Sequence, residues 1–351
     1  MAGRERRSYG HARRPRVSRG LVPGGPAGSR TDRRRAPRRG LWVLLALVFL
    51  SCLVVAAIFL WYQQRPAETM TLTAVDRPAS AEAPEPPVPP ARLRAIEELD
   101  EQLRDISRAH AGTHGAVVFD PYSGESASLN ADRRFVAASL SKLYALLTLY
   151  GAASRGELSL DDKIIMRASD VWAEGTGVLY RYPVGTTMTL RECARFLIKE
   201  SDNTAEVMLN RYLGEEKIEA ELRHLGADST SYWMPNTTTP NDVLMVLKAI
   251  ADPSYTSPEL SAEMLDIMTN SSFEDRLPRP LPEGTRVAHK IGSYESTFSD
   301  AGIVFPEEER NIDQAYYVVV FSEGATEVEA RQTIREVSLA AYRALAAPDA
   351  R

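Results

Sequence analysis

The 351-residue sequence contains few of the residues on which cysteine and metal chemistry depend. Its two cysteines, Cys52 and Cys193, lie in regions of very different character, which argues against a disulfide framework and against a Cys-rich metal site. Because there are also only five histidines, a zinc or iron site is not expected. We therefore predict a protein that uses neither a metal nor another cofactor.

Positive charge is scarce outside the N-terminus. Residues 1–40 contain 13 arginines against Glu5 and Asp32, a net charge of +11, which leaves 29 basic and 45 acidic residues, a net charge of −16, for the remainder. Domains that bind nucleic acids usually carry a basic face. We therefore expect no nucleic-acid partner for the main domain. The composition does not bear on the oligomeric state.

The first 92 residues divide into three segments by composition. Residues 1–40, rich in Arg, Gly and Pro, are typical of a disordered tail. The segment Leu41–Tyr62 contains no charged residue, and its 22 residues can cross the roughly 30 Å hydrocarbon core of a bilayer as a helix. Residues 63–92 are rich in Pro and Ala, which is typical of a semi-extended spacer.

The charge asymmetry around Leu41–Tyr62 predicts the orientation of this span. The arginine-rich tail marks the cytoplasmic side, so the chain after Tyr62 is expected outside the cell. A cleaved signal peptide is the alternative, but the apolar run is longer than usual for one, and no persuasive small-residue cleavage site follows it. We therefore predict a single-pass membrane protein whose residues 93–348 form one extracellular domain.

Strand patterns lie near both ends of that domain, and helical patterns lie between them. Helical periodicity predicts helices over Ala91–Ala109, over Glu327–Ala346 and over nearly all of Ser139–Asp266. Short apolar or β-branched runs predict strands at Gly115–Phe119, Ser126–Asn130, Arg286–Ser293, Ser299–Phe305 and Ala315–Phe321. We predict an α/β (α+β) fold, in which an antiparallel sheet is built from both ends of the domain with flanking helices, and a mainly helical lobe is added.

A hydroxyl and an amine stand at the start of the helical region. In the sequence F-V-A-A-S-L-S-K-L-Y, Ser139 and Lys142 are three residues apart, so they share one face of a helix. This helix is apolar almost all round, so burial is expected to lower the pKa of Lys142, while the helix N-terminus stabilises negative charge at Ser139. The alternatives are that Ser139 only caps the helix and that Lys142 extends to water.

Two further motifs follow this pair in the chain. Residues 200–205 read E-S-D-N-T-A, and residues 288–294 read A-H-K-I-G-S-Y. In this order the chain resembles the serine acyltransferases that include class A β-lactamases and penicillin-binding proteins, whose signatures are S-x-x-K, S-D-N and K-T-G. The resemblance covers essentially the whole domain. It implies a β-lactamase or transpeptidase-like fold and acyl transfer through a serine acyl-enzyme.

The resemblance also implies which side chains are catalytic. It makes Ser139 the nucleophile, Lys142 a base for acylation and Ser201 a proton shuttle toward the leaving nitrogen. Asn203 would orient Lys142 and the substrate amide. Acyl transfer needs a nucleophile, a base and donors for an oxyanion, so the chemistry of these residue types agrees. The alternative for Asp202 and Asn203 is that they cap a helix.

Substrate binding is implied for the residues of the third motif. Lys290 would attract a substrate carboxylate, with Gly292 and Ser293 beside it, and the backbone N–H groups of Ser139 and Ser293 would form the oxyanion hole. The alternative for Lys290 is a solvated position at a strand edge. The neighbouring His289 is expected to be structural.

Two departures from the family pattern affect the predicted activity. Class A β-lactamases use a Glu between S-D-N and K-T-G to activate the water that releases the acyl group, but the loop Gly226–Pro240 has Asp228 as its only carboxylate, at the wrong end. A positioned base is worth about a hundredfold to ten-thousandfold in rate, so slow deacylation is predicted. Ile291 also replaces the Thr of K-T-G, which removes a hydroxyl that helps to hold the substrate carboxylate.

These observations predict a membrane-anchored serine hydrolase of the class A β-lactamase type, acting on a β-lactam or on an amide like those of peptidoglycan peptides. The alternatives are a slow penicillin-binding acyltransferase and a peptidoglycan-binding protein that has lost turnover. The intact residues of the three motifs argue against lost turnover, whereas the missing loop Glu argues against efficient hydrolysis of β-lactams.

Overall fold

Helices and strands account for most of the chain that the computed structural model describes, namely residues 88–232, 236–269, 271–306 and 312–346. In chain order they are α1 (Pro90–Ala109), β1 (Thr113–Phe119), β2 (Ser126–Leu129), β3 (Phe135–Val136), α2 (Ser141–Ser154), β4 (Lys163–Ile165), β5 (Thr187–Thr189), α3 (Leu190–Lys199), α4 (Asn203–Leu213), α5 (Glu215–Leu225), β6 (Thr237–Thr238), α6 (Pro240–Ala251), α7 (Pro258–Met268), β7 (Arg286–Tyr294), β8 (Thr297–Phe305), β9 (Tyr316–Glu323) and α8 (Glu327–Leu345). Short 3-10 turns add to these at Ala138–Leu140, Ala168–Asp170, Leu179–Arg181 and Ile312–Gln314.

A five-stranded antiparallel sheet connects the two ends of the domain. Its strand order is β2-β1-β9-β8-β7, so the first two strands of the domain pair with the last three. The fold class predicted from the sequence is therefore confirmed, including a sheet assembled from both ends. This topology places β7 at one edge of the sheet, where its K-I-G segment borders the helical lobe.

Both faces of the sheet are buried, because alternate side chains of each strand point to opposite sides. In β9, Val318 and Val320 pack with α1 and α8 through residues such as Leu99 and Ile334. The alternate residues of the same strand, Tyr317, Val319 and Phe321, belong to the larger core shared with the helical lobe. The sheet is thus held between a layer of two terminal helices and the lobe that carries the S-x-x-K and S-D-N motifs.

Helix α2 is the centre of the helical lobe. Every residue from Ser141 to Ala152 is buried, and the leucines among them join the larger core. Lys142 lies on this helix, so the packing that buries the leucines also buries the lysine. An apolar helix surrounded by other helices is what its all-round hydrophobic sequence predicts.

The prediction of nearly continuous helix over Ser139–Asp266 was wrong for the segment between α2 and α3. That segment contains the short antiparallel pair β4 and β5 and two 3-10 turns, joined by loops. Gly175, Gly177 and Gly185 in this segment adopt positive φ. Glycine adopts positive φ without strain, whereas every residue of an α-helix has negative φ. The chain therefore turns at these glycines and is not helical there.

The N-terminal segments predicted as tail, membrane span and most of the spacer, residues 1–87, lie outside the described residues. Within the described ranges, no helix is both long and apolar enough to cross a bilayer. The first described helix, α1, begins at Pro90, where the fixed φ of proline suits the first turn.

Candidate active site

The candidate nucleophile Ser139 lies in the 3-10 turn Ala138–Leu140, immediately before α2. Ala138, next to it, has a φ of 48°, a strained conformation for a residue with a side chain. Strand β7 runs close beside this turn, since a Cβ on Gly292 would lie 2.8 Å from Ala137 O. Glycine is therefore required at position 292 for the strand to approach the nucleophile.

Lys142 is the centre of the polar network. Its Nζ donates to Ser139 Oγ at 3.0 Å, to Asn203 Oδ1 at 2.7 Å and to the Ser201 carbonyl at 2.8 Å, and it lies 3.3 Å from Ser201 Oγ. The side chain has no exposure to solvent, so the alternative of a lysine that reaches water does not hold. Nor does Ser139 cap α2, whose N-cap residue is Leu140.

The pKa of Lys142 is shifted in the direction that a base requires. Burial lowers its pKa below that of an ordinary lysine, although the carboxylates of Glu206 and Asp202 act in the opposite direction. Desolvation disfavours the charged amine, so the neutral form is more accessible than in an ordinary lysine. A neutral Lys142 can accept the proton of the Ser139 hydroxyl, with which it is in contact.

Ser201 Oγ lies between two buried amines. Lys290 Nζ donates to it at 2.9 Å, and Lys142 Nζ lies on its other side. Lys290 is fully buried, and both burial and the nearby charge of Lys142 hold its pKa well below the usual lysine value. It is therefore not a solvated residue at a strand edge. The φ of Ser201 is 51°, so this hydroxyl is held by a strained backbone at the turn before α4.

The two residues after Ser201 have different surroundings. Asp202 caps α4, because its Oδ1 accepts from Ala205 N at 2.9 Å and its Oδ2 accepts from Leu179 N at 2.8 Å. Asn203 instead connects the site to the loop in front of it. Its Nδ2 donates to Glu174 O at 2.9 Å while its Oδ1 faces Lys142. The capping alternative therefore applies to Asp202, and Asn203 is placed with Lys142.

A buried arginine that the sequence analysis missed lies beside the Gly292–Ser293 segment of β7. Arg276 has 1% exposure, and its Nη2 donates to Ser293 Oγ at 2.6 Å. Its Nη1 donates to Gly292 O at 2.7 Å. Ser293 itself is exposed, so the buried guanidinium contacts a residue that lies at the surface. No local pattern marks this arginine, which lies in a loop before the strand.

His289 and Ile291, on the strand beside Lys290, are both buried. His289 Nδ1 lies 2.9 Å from Asp300 Oδ1. Burial lowers the pKa of His289, but the charge and hydrogen bond of Asp300 outweigh burial and raise it to about 9. His289 is thus paired within the sheet, as expected for a structural residue. Ile291 supplies no hydroxyl at the position where the family has threonine.

A second residue that the sequence analysis missed is Glu206, on α4. Its Oε2 lies 3.4 Å from Lys142 Nζ, and its Oε1 accepts from Ser141 Oγ at 2.9 Å. Glu206 follows Asn203 by three residues, a spacing that places both side chains on one helix face toward Lys142. This spacing is the signal that could have identified it.

The loop Gly226–Pro240 ends beside the nucleophile. Its residues Thr237–Thr238 form β6 and pair with β3, and Asn236 Nδ2 donates to Ala138 O at 3.2 Å. Residues 233–235 are outside the described part of the chain. Asp228, the only carboxylate of the loop, is exposed.

The serine, its buried lysine and the hydroxyl between two amines are the groups that acyl transfer requires. Together with the sheet and the helical lobe that hold them, they define a serine acyl-transfer enzyme. The sequence profile of the β-lactamase enzyme family matches residues 98–345. The chain belongs to this family, which confirms the resemblance to class A β-lactamases and penicillin-binding proteins.

Relatives of this chain include two β-lactamases. The β-lactamase of Amycolatopsis lactamdurans is 29% identical over 159 residues, which are 44% of this chain and 51% of that protein. The β-lactamase of Streptomyces fradiae is 26% identical over 231 residues, which are 59% of this chain and 74% of that protein. The chain thus spans about half the length of the first relative and about three-quarters of the second.

Solved structures with this fold include PBP-A, which has a TM-score of 0.65 and 26% identity over 71% of this chain and 96% of that chain. A variant of PBP-A has been solved as an acyl-enzyme complex with penicillin G. The β-lactamase of Sphaerobacter thermophilus has a TM-score of 0.63 and 29% identity over 72% of this chain and 97% of that chain.

Proposed function

We propose that this chain is a membrane-anchored serine hydrolase of the β-lactamase type that forms an acyl-enzyme at Ser139. The contact of 3.0 Å between Lys142 Nζ and Ser139 Oγ carries the proposal, because the amine is buried and the hydroxyl has no other role in the helix. The proposed substrate is a β-lactam or an amide like those of peptidoglycan peptides. The relatives named as β-lactamases and the penicillin complex of PBP-A support this class.

Acylation begins when neutral Lys142 removes the proton from Ser139 Oγ and the oxygen attacks the substrate carbonyl carbon. The backbone N–H groups of Ser139 and Ser293 hold the oxyanion that forms. Ser201 then delivers a proton to the substrate nitrogen as the carbon–nitrogen bond breaks. Its hydroxyl contacts Lys142 and Lys290, so the proton that Lys142 accepted has a path to the leaving group.

The carboxylate of the substrate is expected at the Ser293 end of the site. Lys290 offers hydrogen-bond donors from within the site, and the guanidinium of Arg276 donates to the Ser293 hydroxyl. Hydrogen bonds with a charged donor are stronger than those between neutral groups. Arg276 would therefore offset part of the substrate affinity that is lost because Ile291 replaces the threonine hydroxyl. The substrate would therefore be anionic near its scissile amide.

The test is intact-mass spectrometry of the full-length protein in detergent during incubation with penicillin G. We expect one covalent adduct, located on the peptide that contains Ser139, and no adduct in the Ser139→Ala variant. A protein that hydrolyses no penicillin and gains no mass would contradict the proposal. Ser123→Ala, which changes a serine outside the site, provides the matched control.

The second candidate is a slow penicillin-binding acyltransferase. A peptidoglycan-binding protein is the limiting case, in which the rate of turnover has fallen to zero. The observation that favours it is the loop Gly226–Pro240, whose only carboxylate, Asp228, is exposed. The lifetime of the adduct separates the candidates. Loss of the adduct within seconds indicates a hydrolase, and persistence for minutes or longer indicates an acyltransferase.

The membrane anchor is the part of the proposal that rests on sequence alone. The uncharged segment Leu41–Tyr62 and the arginines before it support a single span with residues 63–351 outside the cell. Protease added to intact spheroplasts should then remove the folded domain. If the domain is protected while residues 1–40 are digested, the proposed orientation is wrong.

A further inference from the structure

We propose that Glu206 on helix α4 is the general base that activates water to release the acyl group from Ser139. This inference rests on the proposed function, because it concerns the second half of the same reaction. It assigns to α4 the task that class A β-lactamases assign to a loop Glu. Glu206 lies outside the loop Gly226–Pro240, whose lack of a suitable carboxylate predicts slow deacylation.

The position of Glu206 relative to the nucleophile supports this role. Lys142 Nζ contacts Ser139 Oγ at 3.0 Å and Glu206 Oε2 at 3.4 Å. The carboxylate is therefore separated from the nucleophile by a single amine that touches both. Ser141 Oγ donates to Glu206 Oε1 at 2.9 Å, so one carboxylate oxygen is held and the other faces Lys142.

Solvent access distinguishes Glu206 from Lys142 as the base for water. The Lys142 side chain has no exposed surface, whereas the Glu206 side chain keeps 20% of its exposure. A water molecule can thus reach the carboxylate more readily than the amine. The amine is also fully occupied by oxygens of Ser139, Ser201 and Asn203.

Two other carboxylates are less suited to this task. Both oxygens of Asp202 accept backbone N–H groups, at Ala205 and at Leu179, and this capping role fixes them away from a catalytic one. Asp228 lies in the loop where the family has its base, but it is exposed. Glu206 combines contact with Lys142 and partial access to solvent.

The proposed step balances as ester hydrolysis. Glu206 takes one proton from water as the water oxygen bonds to the acyl carbon, which forms a tetrahedral intermediate. The bond between this carbon and Ser139 Oγ then breaks. The proton passes from Glu206 through Lys142 to Ser139 Oγ, which restores the hydroxyl and releases the substrate as a carboxylic acid. No further reactant is needed.

The alternative is that Glu206 only balances the charge of a buried lysine. Removing such a partner would act on Lys142 itself, so the rate of acylation would change at least as much as the rate of deacylation. A general base for water has a different signature. Its loss leaves acylation largely in place and traps the acyl-enzyme.

The test compares Glu206→Gln with the unmodified full-length protein in detergent, with penicillin G as the probe. Adduct formation and loss are followed by intact-mass spectrometry after excess penicillin has been removed. We expect the adduct of Glu206→Gln to survive at least a hundredfold longer, the scale of general base catalysis, while its rate of formation falls by less than tenfold. Asp228→Asn and Glu216→Gln remove a carboxylate elsewhere and should leave the lifetime unchanged.

The outcomes separate the inference from the proposed function. Equal adduct lifetimes in the unmodified protein and in Glu206→Gln would overturn the role of Glu206 and leave the acyl-enzyme standing. A long-lived adduct in Asp228→Asn would assign the base to the loop instead and also overturn it. If the unmodified protein forms no adduct and hydrolyses no penicillin, the proposed function fails and the inference fails with it.

A second variant keeps the test decisive if Glu206→Gln does not fold. Glu206→Asp retains the carboxylate and shortens the side chain by one methylene. We expect an adduct lifetime between those of the unmodified protein and Glu206→Gln, with unchanged melting temperature. Suppose that Glu206→Gln is unfolded and that Glu206→Asp releases the adduct as fast as the unmodified protein does. This result would overturn the proposal that a carboxylate held at the position of Glu206 activates the water.

Discussion

Replacing Lys142 by alanine tests the acylation half of the mechanism most directly. The Nζ atom contacts Oγ of Ser139, the proposed nucleophile, at 3.0 Å, and we propose that it accepts the proton of this hydroxyl. General base catalysis accounts for about a hundredfold to ten-thousandfold in rate, which corresponds to about 3 to 5 kcal/mol in the barrier. We therefore expect Lys142→Ala to form the Ser139 adduct with penicillin at least a hundredfold more slowly.

The pH dependence of acylation provides a second signature of Lys142. Burial lowers its pKa from the usual value of 10.5, so the neutral base form accumulates at lower pH than it would for an exposed lysine. The acylation rate of the unmodified protein should rise with pH as Lys142 loses its proton and level off at a lower pH than an exposed lysine would give. Lys142→Ala should lack this rise.

The assay is the second-order rate of adduct formation, measured by quenched intact-mass spectrometry. Lys163→Ala, which removes an exposed lysine of β4, is the matched control and should acylate at the unmodified rate. Melting temperatures establish that both variants are folded. A folded Lys142→Ala protein that acylates within tenfold of the unmodified rate would refute the assignment of Lys142 as the base.

The sheet and its two covering helices could be predicted from the sequence because their signals are local. The run Val318–Val320 is typical of a buried strand, and the spacing of Leu99 and Leu103 is typical of one helix face. The structure buries these residues in one core cluster between sheet and helices, apart from Val319, which faces the lobe. Alternation along β9 is thus sufficient to explain why both faces of the sheet are covered.

The segment between α2 and α3 was predicted less well, because turn residues outweigh the apolar pattern there. Gly175 and Gly177 approach the S-D-N segment so closely that a Cβ would lie 2.6 Å from Asn203 Nδ2 and 2.4 Å from Asp202 Cγ respectively. These glycines are needed by a tertiary contact with the site. A reading of helical periodicity does not detect such a contact.

Glu206 and Arg276 were missed for a related reason. Their partners are distant in sequence, because Glu206 meets Lys142 across 64 residues and Arg276 meets Ser293 across 17. The three family motifs contain the proposed nucleophile, the two buried amines and the proposed proton shuttle, but they contain neither of these two residues. A single charged residue outside a motif carries no sequence signal until the fold shows what it touches.

Three further predictions concern β7 and its neighbours. Arg276→Met should raise the penicillin concentration for half-maximal acylation by about tenfold or more, because a charge-assisted hydrogen bond is worth roughly 1.5 to 3 kcal/mol. An unchanged concentration would exclude Arg276 from binding the substrate carboxylate. Gly292→Ala should slow acylation by about tenfold or more, because its Cβ would lie 2.8 Å from Ala137 O. If this variant acylates at the unmodified rate, the close approach of β7 to the turn that holds Ser139 is not needed for acylation. The third prediction is a loss of stability at high pH through His289. Its pKa is raised in the folded state to about 9 from 6.5, so protonated His289 stabilises the fold fully below about pH 6.5, and this contribution is lost as the pH rises through 9. The shift corresponds to about 3 kcal/mol, so denaturant unfolding should give a lower free energy at pH 10 than at pH 6, and His289→Gln should reduce this difference. An equal pH dependence in the variant would show that the pair of His289 and Asp300 is not its source.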